Sequence, residues 1–272
     1  MGTLYVVGTP IGNLEDITFR AVRVLQAVSL IAAEDTRKAH ILLSHYEIRT
    51  PVTSFFAGNE RHKIATILTA LAQGDVALIS EAGMPTISDP GYPLVATVTE
   101  AGGAVIPIPG PSAHTTALVA SGLPTDRFLF LGFLPRKQQA LTAALEELVD
   151  IRATLICYES PRRVRNLLHQ LLLVLGNRPV ALCRELTKRY EEIWRGELAD
   201  AAEHLAAAEP RGEFTIVVGG APDIEEHWDE ERVLAALNEA RASGLTHSQA
   251  AREVAQRSGW QRGEVYDLAV SG

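Results

Sequence analysis

Two carboxylates and a guanidinium stand close together at Glu34, Asp35 and Arg37, in the segment AEDTR that leaves an apolar run. Tyr158-Glu159-Ser160 and Arg184-Glu185-Leu186-Thr187-Lys188 follow two further apolar runs in the same way. Carboxylates so placed can accept a proton, and Arg or Lys can position an anionic substrate. Ionisable groups at several strand ends suit group transfer better than passive binding. Candidates for base or substrate positioning are therefore Glu34, Asp35, Arg37, Glu159, Arg184, Glu185 and Lys188. Asp35 or Thr36 also suits the cap of the next helix, whereas Glu34 and Arg37 are harder to assign to capping. No metal is expected: two cysteines lie far apart, and eight scattered histidines contain no HExxH pattern.

Three loops rich in Gly, Pro and small polar residues point to a ligand. They are Gly8–Leu14 (GTPIGNL), Ser80–Gly91 (SEAGMPTISDPG) and Pro109–Ser112 (PGPS), each behind an apolar run. Open α/β sheets bind small ligands at such strand ends. GTPIGNL matches neither the dinucleotide fingerprint nor the lysine-bearing phosphate loop, so nucleotide hydrolysis is disfavoured. Asp89, before Pro90, reads as a turn former. Ser112 reads as an N-cap whose helix start also suits an anionic group.

The elements that must hold these loops alternate. Residues 4–7, 28–33, 76–79 and 105–108 read as buried strands. Helices fall over Phe19–Gln26, Thr36–Tyr46, Asn59–Gln73 with Asn59 as cap, Pro93–Ala101, and from about Ser112. Alternation predicts a mainly parallel sheet with right-handed crossovers. A boundary near Ser121–Arg127 opens a second lobe. Its strands are expected at Phe128–Leu131, Thr154–Tyr158, Val180–Cys183, Glu192–Arg195 and Phe214–Val218, and its helices at Gln138–Val149 and Arg162–Leu175. This second sheet is expected to be mixed. The predicted organisation is an N-terminal α/β lobe over 1–120, a C-terminal α/β lobe over 121–222 and a helical unit over 223–272. In that unit Glu230–Ala242, His247–Arg257 and Arg262–Ala269 resemble a helix-turn-helix around Ala251, Val254, Trp260, Val265 and Leu268. A helical cap or dimer contact fits as well as nucleic-acid binding. Gln261 and Arg262 are offset by Glu264 and Asp267.

Bulk properties narrow the class. The chain has 272 residues, 47% hydrophobic and 21% charged, with a net charge of −8. No apolar run approaches the ~20 residues of a membrane span, and the start MGTLYVV carries no secretory signature. A reducing, cytoplasmic setting is expected. The acidic total argues against a general nucleic-acid coat but leaves room for local basic patches at Arg136-Lys137, Arg162-Arg163-Arg165 and Arg184 with Lys188-Arg189. Each equally fits a solvated face.

The collinear set GTPIGNL, AEDTR, SEAGMPTISDPGYPLV, PIPGPSA, SGLPTDRF, LGFLPRK, YESPRR, CRELTKRYEE and EPRGEF resembles the ribosomal RNA small subunit methyltransferase I family. That family is a branch of the tetrapyrrole methylase superfamily. The resemblance runs over about residues 4–218 and extends to the helical tail. It implies a two-lobed α/β methylase, usually homodimeric, that uses S-adenosyl-L-methionine to methylate a cytidine ribose 2′-hydroxyl in the decoding region of 16S rRNA. The cofactor-lining positions carried over are Pro10, Ser80, Glu81, Ala82, Gly83, Met84, Ile87, Ser112, Ala113, Tyr158, Gly212, Phe214 and Thr215. On this reading Glu34 or Asp35 accepts the proton, and Arg37, Arg184 and Lys188 hold phosphates near the target nucleotide. Three positions depart from the pattern: Glu81 where Asp is usual, Met84 where Thr is usual, and Gly8 where a larger residue is common. Competing readings are a superfamily methylase acting on a tetrapyrrole or other small molecule, and a non-catalytic RNA-binding assembly factor.

Overall fold

The computed structural model describes residues 1–206, 209–222 and 228–271. Its first half alternates as β1 (Leu4–Val7), α1 (Phe19–Ala27), β2 (Leu30–Ala33), α2 (Thr36–His45), β3 (Val52–Ser54), α3 (Glu60–Leu71), β4 (Val76–Ile79), α4 (Tyr92–Glu100), β5 (Val105–Ile108) and α5 (Ala113–Ser121). The strands form one parallel sheet in the order β3-β2-β4-β1-β5. Each face is buried because side chains alternate along the strands. Leu4, Val76 and Leu78 pack with Ile67 and Leu71 of α3 and Leu94 and Val98 of α4. Val7, Ala77 and Ile79 pack with Ala21 and Leu25 of α1 and Ala39 and Leu43 of α2. β1 lies between β4 and β5, so the loops leaving those three strands are neighbours. That adjacency builds the site.

The second half continues as β6 (Phe128–Phe133), α6 (Gln138–Glu146), β7 (Thr154–Glu159), α7 (Val164–Leu175), β8 (Pro179–Arg184), β9 (Glu192–Glu197), α8 (Leu198–Ala206) and β10 (Phe214–Val218). The sheet order is β6-β7-β10-β8-β9, with β6 and β7 parallel and the other pairs antiparallel. One face carries α6, α7 and α8 through Leu141, Leu145, Leu168, Leu171, Leu198 and Ala201. The other is covered from the first half: Ile11 and, on α5, Ala117 and Leu118 pack on Ile156, Ala181, Cys183 and Val217. Thus α5 hangs from the first sheet yet buries its apolar face on the second, which fixes the two lobes across a cleft.

Strand β3 and helix α8 are not among the expected elements. β3 is a three-residue edge strand, too short to show a period. β2 starts at Leu30 rather than residue 28, because Val28 still caps α1. Asn59 takes the cap position of α3, but its side chain turns back. It accepts from the Phe56 N–H at 2.8 Å and donates to Ser54 Oγ at 3.2 Å.

The tail comprises α9 (Glu230–Ala242), α10 (His247–Ser258) and α11 (Arg262–Ser271) around Val233, Leu237, Ala251, Val254 and Val265. Trp260 and Leu268 are partly buried against that core. The start of the predicted helical unit, residues 223–227, lies outside the described residues. α10 docks on the end of α7, where Gln256 donates to the Leu175 carbonyl at 2.8 Å and Arg252 to that of Leu173. Those carbonyls end a helix and have no partner within it. No helix among the described residues is long and apolar enough to cross a membrane.

Candidate functional site

The floor of the cleft is made where the loops beyond β1, β4 and β5 meet. Thr9 and Gly83 exchange backbone hydrogen bonds at 2.9 and 3.0 Å. Pro10 follows this pairing and aims Ile11 into the cleft. Gly8 and Gly110 are so close that a Cβ on Gly110 would lie 2.9 Å from the Gly8 backbone. Ser80 is buried under the turn, its hydroxyl 3.4 Å from the carbonyls of Ala82 and Gly83.

Beyond Met84 the chain is strained. Thr86 and Ser88 both have positive φ, 76° and 63°, a conformation rare for residues with a Cβ and worst for a branched one. Such strain costs on the order of 1–3 kcal/mol per residue and collects at functional sites. Its effect is geometric: Ile87, between the two, and Asp89, after them, line the same cavity. The opposite wall repeats the device. Glu185 and Thr187 have φ of 51° and 65°, and Leu186 between them reaches the cavity.

Of the AEDTR residues expected at the cleft mouth, only Glu34 arrives. Its carboxylate accepts the backbone N–H of Glu81 at 3.1 Å, joining the β2 and β4 loops. Asp35 caps α2, accepting the Arg37 N–H at 2.8 Å and the Arg37 guanidinium at 2.9 Å. The Arg37 side chain first, and then its backbone N–H, hold that carboxyl down at about 2, which makes it a weak base. Helix capping thus claims Asp35 and Arg37. Lys38 instead pairs with Glu81.

The second lobe supplies the facing wall. Tyr158 donates or accepts at His114 Nδ1 (3.3 Å) and accepts the His114 N–H at 3.2 Å. Burial pushes its phenol up to about 12, so it acts as a neutral hydrogen-bonding group. Phe133 meets its ring edge-on, with centroids 5.6 Å apart. Ser112 begins α5, but its hydroxyl bonds His114 Nδ1 at 2.8 Å rather than the helix. Glu159 is buried; Oε1 accepts the Ser160 N–H at 2.7 Å, and Oε2 faces Arg163 at 3.2 Å as an ion pair outside hydrogen-bond geometry.

The expected phosphate holders are occupied within the protein. Lys188 Nζ binds Glu185 at 2.8 Å and Glu213 at 2.9 Å. Desolvation pushes the Glu185 carboxyl up, but Lys188 and the Glu213 N–H outweigh it and hold it below its ordinary value. Gly212 fits against this pair, since a Cβ there would fall 2.4 Å from Glu185 Cγ. Arg184 pairs with Glu192 at 2.8 Å. Arg163 and Arg165 also bond main-chain carbonyls; Arg165 is nonetheless exposed, as are Arg136, Lys137, Arg162 and Arg189 of the basic clusters.

These walls enclose a cavity of about 470 Å³, within the range of small-ligand sites. Of the sequence-based candidates, it is lined by Glu34, Glu81, Ala82, Gly83, Met84 and Ile87 on one side. Ser112, Ala113, Tyr158, Glu159, Lys188, Phe214 and Thr215 line the other. Pro10, Ser80, Glu185 and Gly212 lie behind the lining, and Asp35, Arg37 and Arg184 turn elsewhere. Residues missed from sequence include Ile11, Phe133, Leu186 and, chemically most important, Asp89; Glu213 lies in the Gly212–Thr215 loop that the resemblance placed at the cofactor. Asp89 does sit in a turn, as expected, but the turn faces inward. Only the positive-φ pair before it decides that, and Thr and Ser carry no sequence signal for it. Burial, then repulsion from Glu34, raises its carboxyl to about 6.

Apolar walls and a preponderance of carboxylates suit a compact organic cation. Among the described residues no cluster of His, Cys, Asp and Glu could hold a metal ion.

A two-lobed α/β chain, with a parallel sheet, a mixed sheet and an interlobe cavity, has the architecture of the tetrapyrrole methylases. Uroporphyrin-III-C-methyltransferase from Thermus thermophilus superposes with a TM-score of 0.58 at 22% identity, covering 80% of this chain and 94% of that one. A cobalt precorrin-4 methyltransferase gives 0.59 at 16% identity, over 80% and 94%. At these identities the likeness concerns fold alone. The family model for Tetrapyrrole (Corrin/Porphyrin) Methylases matches residues 3–202.

Full-length relatives are more specific. Proteins named Ribosomal RNA small subunit methyltransferase I are 46% identical in Halalkalibacterium halodurans, over 98% of this chain and 94% of the relative, and 42% identical in Bacillus subtilis, over 98% and 94%. The chain belongs to the ribosomal RNA small subunit methyltransferase I family. The Thermotoga maritima member is 45% identical over 99% of its own length but only 81% of this chain.

Proposed function

We propose that this protein transfers a methyl group from S-adenosyl-L-methionine to the ribose 2′-hydroxyl of a cytidine in the decoding region of 16S rRNA. The observation that carries the reading is the end-to-end likeness, 46% over 98% of the chain, to a relative named for small-subunit ribosomal RNA methylation. The cavity supports it. Its volume and apolar side chains (Ile11, Met84, Ile87, Leu186) suit the donor's nucleoside and thioether parts, and its carboxylates suit a cation.

When bound, the donor supplies an electrophilic methyl on a sulfonium. What this chain contributes is positioning: two walls fixed by strained turns would hold a bound donor and acceptor in the in-line arrangement that methyl transfer requires. Gly83, Ser112, Ala113, Tyr158 and Thr215 are the polar and backbone groups placed to hold the donor. RNA phosphates would meet the exposed Arg136, Lys137, Arg162 and Arg189 rather than the acidic interior. We also propose a homodimer, supported by the exposed Phe128 and Leu129 on edge strand β6.

The test is methyl transfer from labelled donor to small ribosomal subunits taken from cells lacking the gene, followed by mass spectrometry of the RNA. One new ribose methyl on a cytidine is expected. Label on a base, or none on subunits alongside label on a tetrapyrrole, would overturn the reading. Sedimentation gives the oligomeric state.

A further inference from the structure

The basic residues assigned to RNA above all stand on the second lobe; the first lobe carries a different surface at the edge of its sheet. Beyond edge strand β3 come two phenylalanines that part company. Phe55 is fully buried among Ile67, Leu71 and Leu94, whereas Phe56 is 45% exposed. The Phe56 ring lies against Gly58, where a Cβ would fall 2.7 Å from its Cε2. It keeps that place only beside a bare backbone. Asn59 fixes the turn. Its Oδ1 accepts the Phe56 N–H at 2.8 Å, and its Nδ2 donates to Ser54 Oγ at 3.2 Å. The Phe56 carbonyl accepts the Asn59 and Glu60 N–H groups, both at 2.9 Å. Asn59 therefore makes no side-chain cap for α3, a contact worth about 1 kcal/mol to a helix. That hydrogen bond is diverted to holding an exposed ring, which the apolar core does not need.

Cations rim the same edge. Helices α2 and α3 follow the neighbouring strands β2 and β3 and pack on opposite faces of the sheet. The first turn of α2 exposes Arg37 and Lys38, which pair with Asp35 and Glu81. The first turn of α3 holds Arg61, which has no carboxylate partner among the described residues, and Lys63, which reaches the neutral Thr53 hydroxyl at 3.0 Å. Glu60 is the acid in that turn. The Phe55 N–H bonds the Ala33 carbonyl at 2.8 Å. Phe56 thus leaves the sheet one strand away, about 5 Å, from the loop that carries Glu34 to the cavity mouth, while lining no part of the cavity itself. An open ring beside unpaired cations is the combination that holds single-stranded nucleic acid: every base offers a π-face, and the cations meet the backbone. A protein partner would call for a wider apolar patch, and Ala57 and Gly58 next to the ring offer none. Resting on the ribosomal RNA reading above, we propose that Phe56 is a stacking platform for an unpaired base beside the acceptor nucleotide, with Arg61 and Lys63 on the adjoining phosphates. Phe56 is then a positioning residue and takes no part in bond making.

The test uses full-length protein, with a fluorescein-labelled single-stranded RNA of about twelve nucleotides for binding and small ribosomal subunits for methylation. Phe56→Ala should weaken RNA binding at least about fivefold, since one stacked base is worth that much. It should raise the KM for subunits by a similar factor and leave calorimetric donor affinity unchanged. Phe56→Trp should keep or tighten binding, and RNA should quench the added indole. Gly58→Ala retains the ring but occupies its seat, so it should weaken binding as F56A does. Arg61→Gln should lower the slope of log affinity against log salt by about 0.7. F56A that binds RNA and methylates subunits like wild type overturns the platform, as does an F56W indole that RNA leaves unquenched or a wild type that leaves the RNA unbound. Weaker binding of F56A to whole subunits with unchanged binding to the bare RNA also overturns it, in favour of a ribosomal protein as partner. Wild type that methylates no subunit sinks the acceptor reading instead, and the F56W quench still judges the platform.

Discussion

Gly8 and Met84 occupy each other's space: a Cβ on Gly8 would fall 2.7 Å from the Met84 sulfur. Both are departures from the pattern of the family this chain resembles, which has a larger residue at the first position and Thr at the second. The two changes are complementary, since the long thioether fills room that the missing side chain leaves. Gly8→Ala should therefore destabilise the protein by about 1–3 kcal/mol by overpacking and weaken donor binding. Met84→Thr in the same chain should recover part of both losses. A double-mutant cycle on melting temperature and calorimetric affinity measures the coupling; additive losses would show that the two sites are independent.

Glu159 is 3% exposed and faces Arg163 at 3.2 Å. Removing one partner of a buried ion pair strands the other charge, at a cost of about 3–5 kcal/mol. Arg163 also donates to the carbonyls of Leu134 and Pro135, so its loss loosens the β6–α6 connection too. Arg163→Ala should lower urea stability by roughly 3 kcal/mol. Adding Glu159→Gln should restore a measurable part of it. Equal stability of R163A and wild type would show the pair to be idle.

Asp89 links stability to pH. Its carboxyl titrates at about 6 in the fold against an ordinary 3.8, so the folded protein holds the proton more tightly. The associated stabilisation is complete below pH 4 and is lost as pH rises through 6. Full burial would make this about 3 kcal/mol, which partial exposure screens to roughly 1 kcal/mol. Asp89→Asn should therefore melt higher than wild type at pH 8 and no higher at pH 4. Thermal melts across that range decide it, and a pH-independent difference would contradict the linkage.

At the tail, Gln256 holds the end of α7 through the Leu175 carbonyl at 2.8 Å. Gln256→Ala should cost about 1 kcal/mol and raise amide exchange in the last turn of α7 and in α10 together. Gln256 is not among the residues that line the cavity, so donor binding should be unchanged in this variant. A shift in donor affinity would mean that the tail couples to the cleft.

Much of this protein could be read from the chain itself, because the signals are local. Short continuous apolar runs marked β1, β4, β5 and β10, and period-3.6 apolar patterns marked most helices. Runs of Gly and Pro at strand ends marked the loops that form the cavity, and a collinear set of motifs pointed to the family. What the chain could not disclose depended on direction and on partners far away in sequence. In AEDTR the sequence offers Asp35 as a cap and sends Glu34 and Arg37 to the cleft, yet the Arg37 guanidinium folds back onto the capping carboxylate and only Glu34 reaches the cavity. Lys188 looks like a free cation until β10 brings Glu213 to it across 25 residues. Helix α5 follows the first sheet but buries itself on the second. Asp89 faces the cavity because Thr86 and Ser88 adopt backbone angles their side chains disfavour, and only the packing of two lobes around that loop can hold them there. Composition and spacing determined which elements form and where a ligand must sit; tertiary packing alone decided which carboxylate meets it without a cationic partner among the described residues.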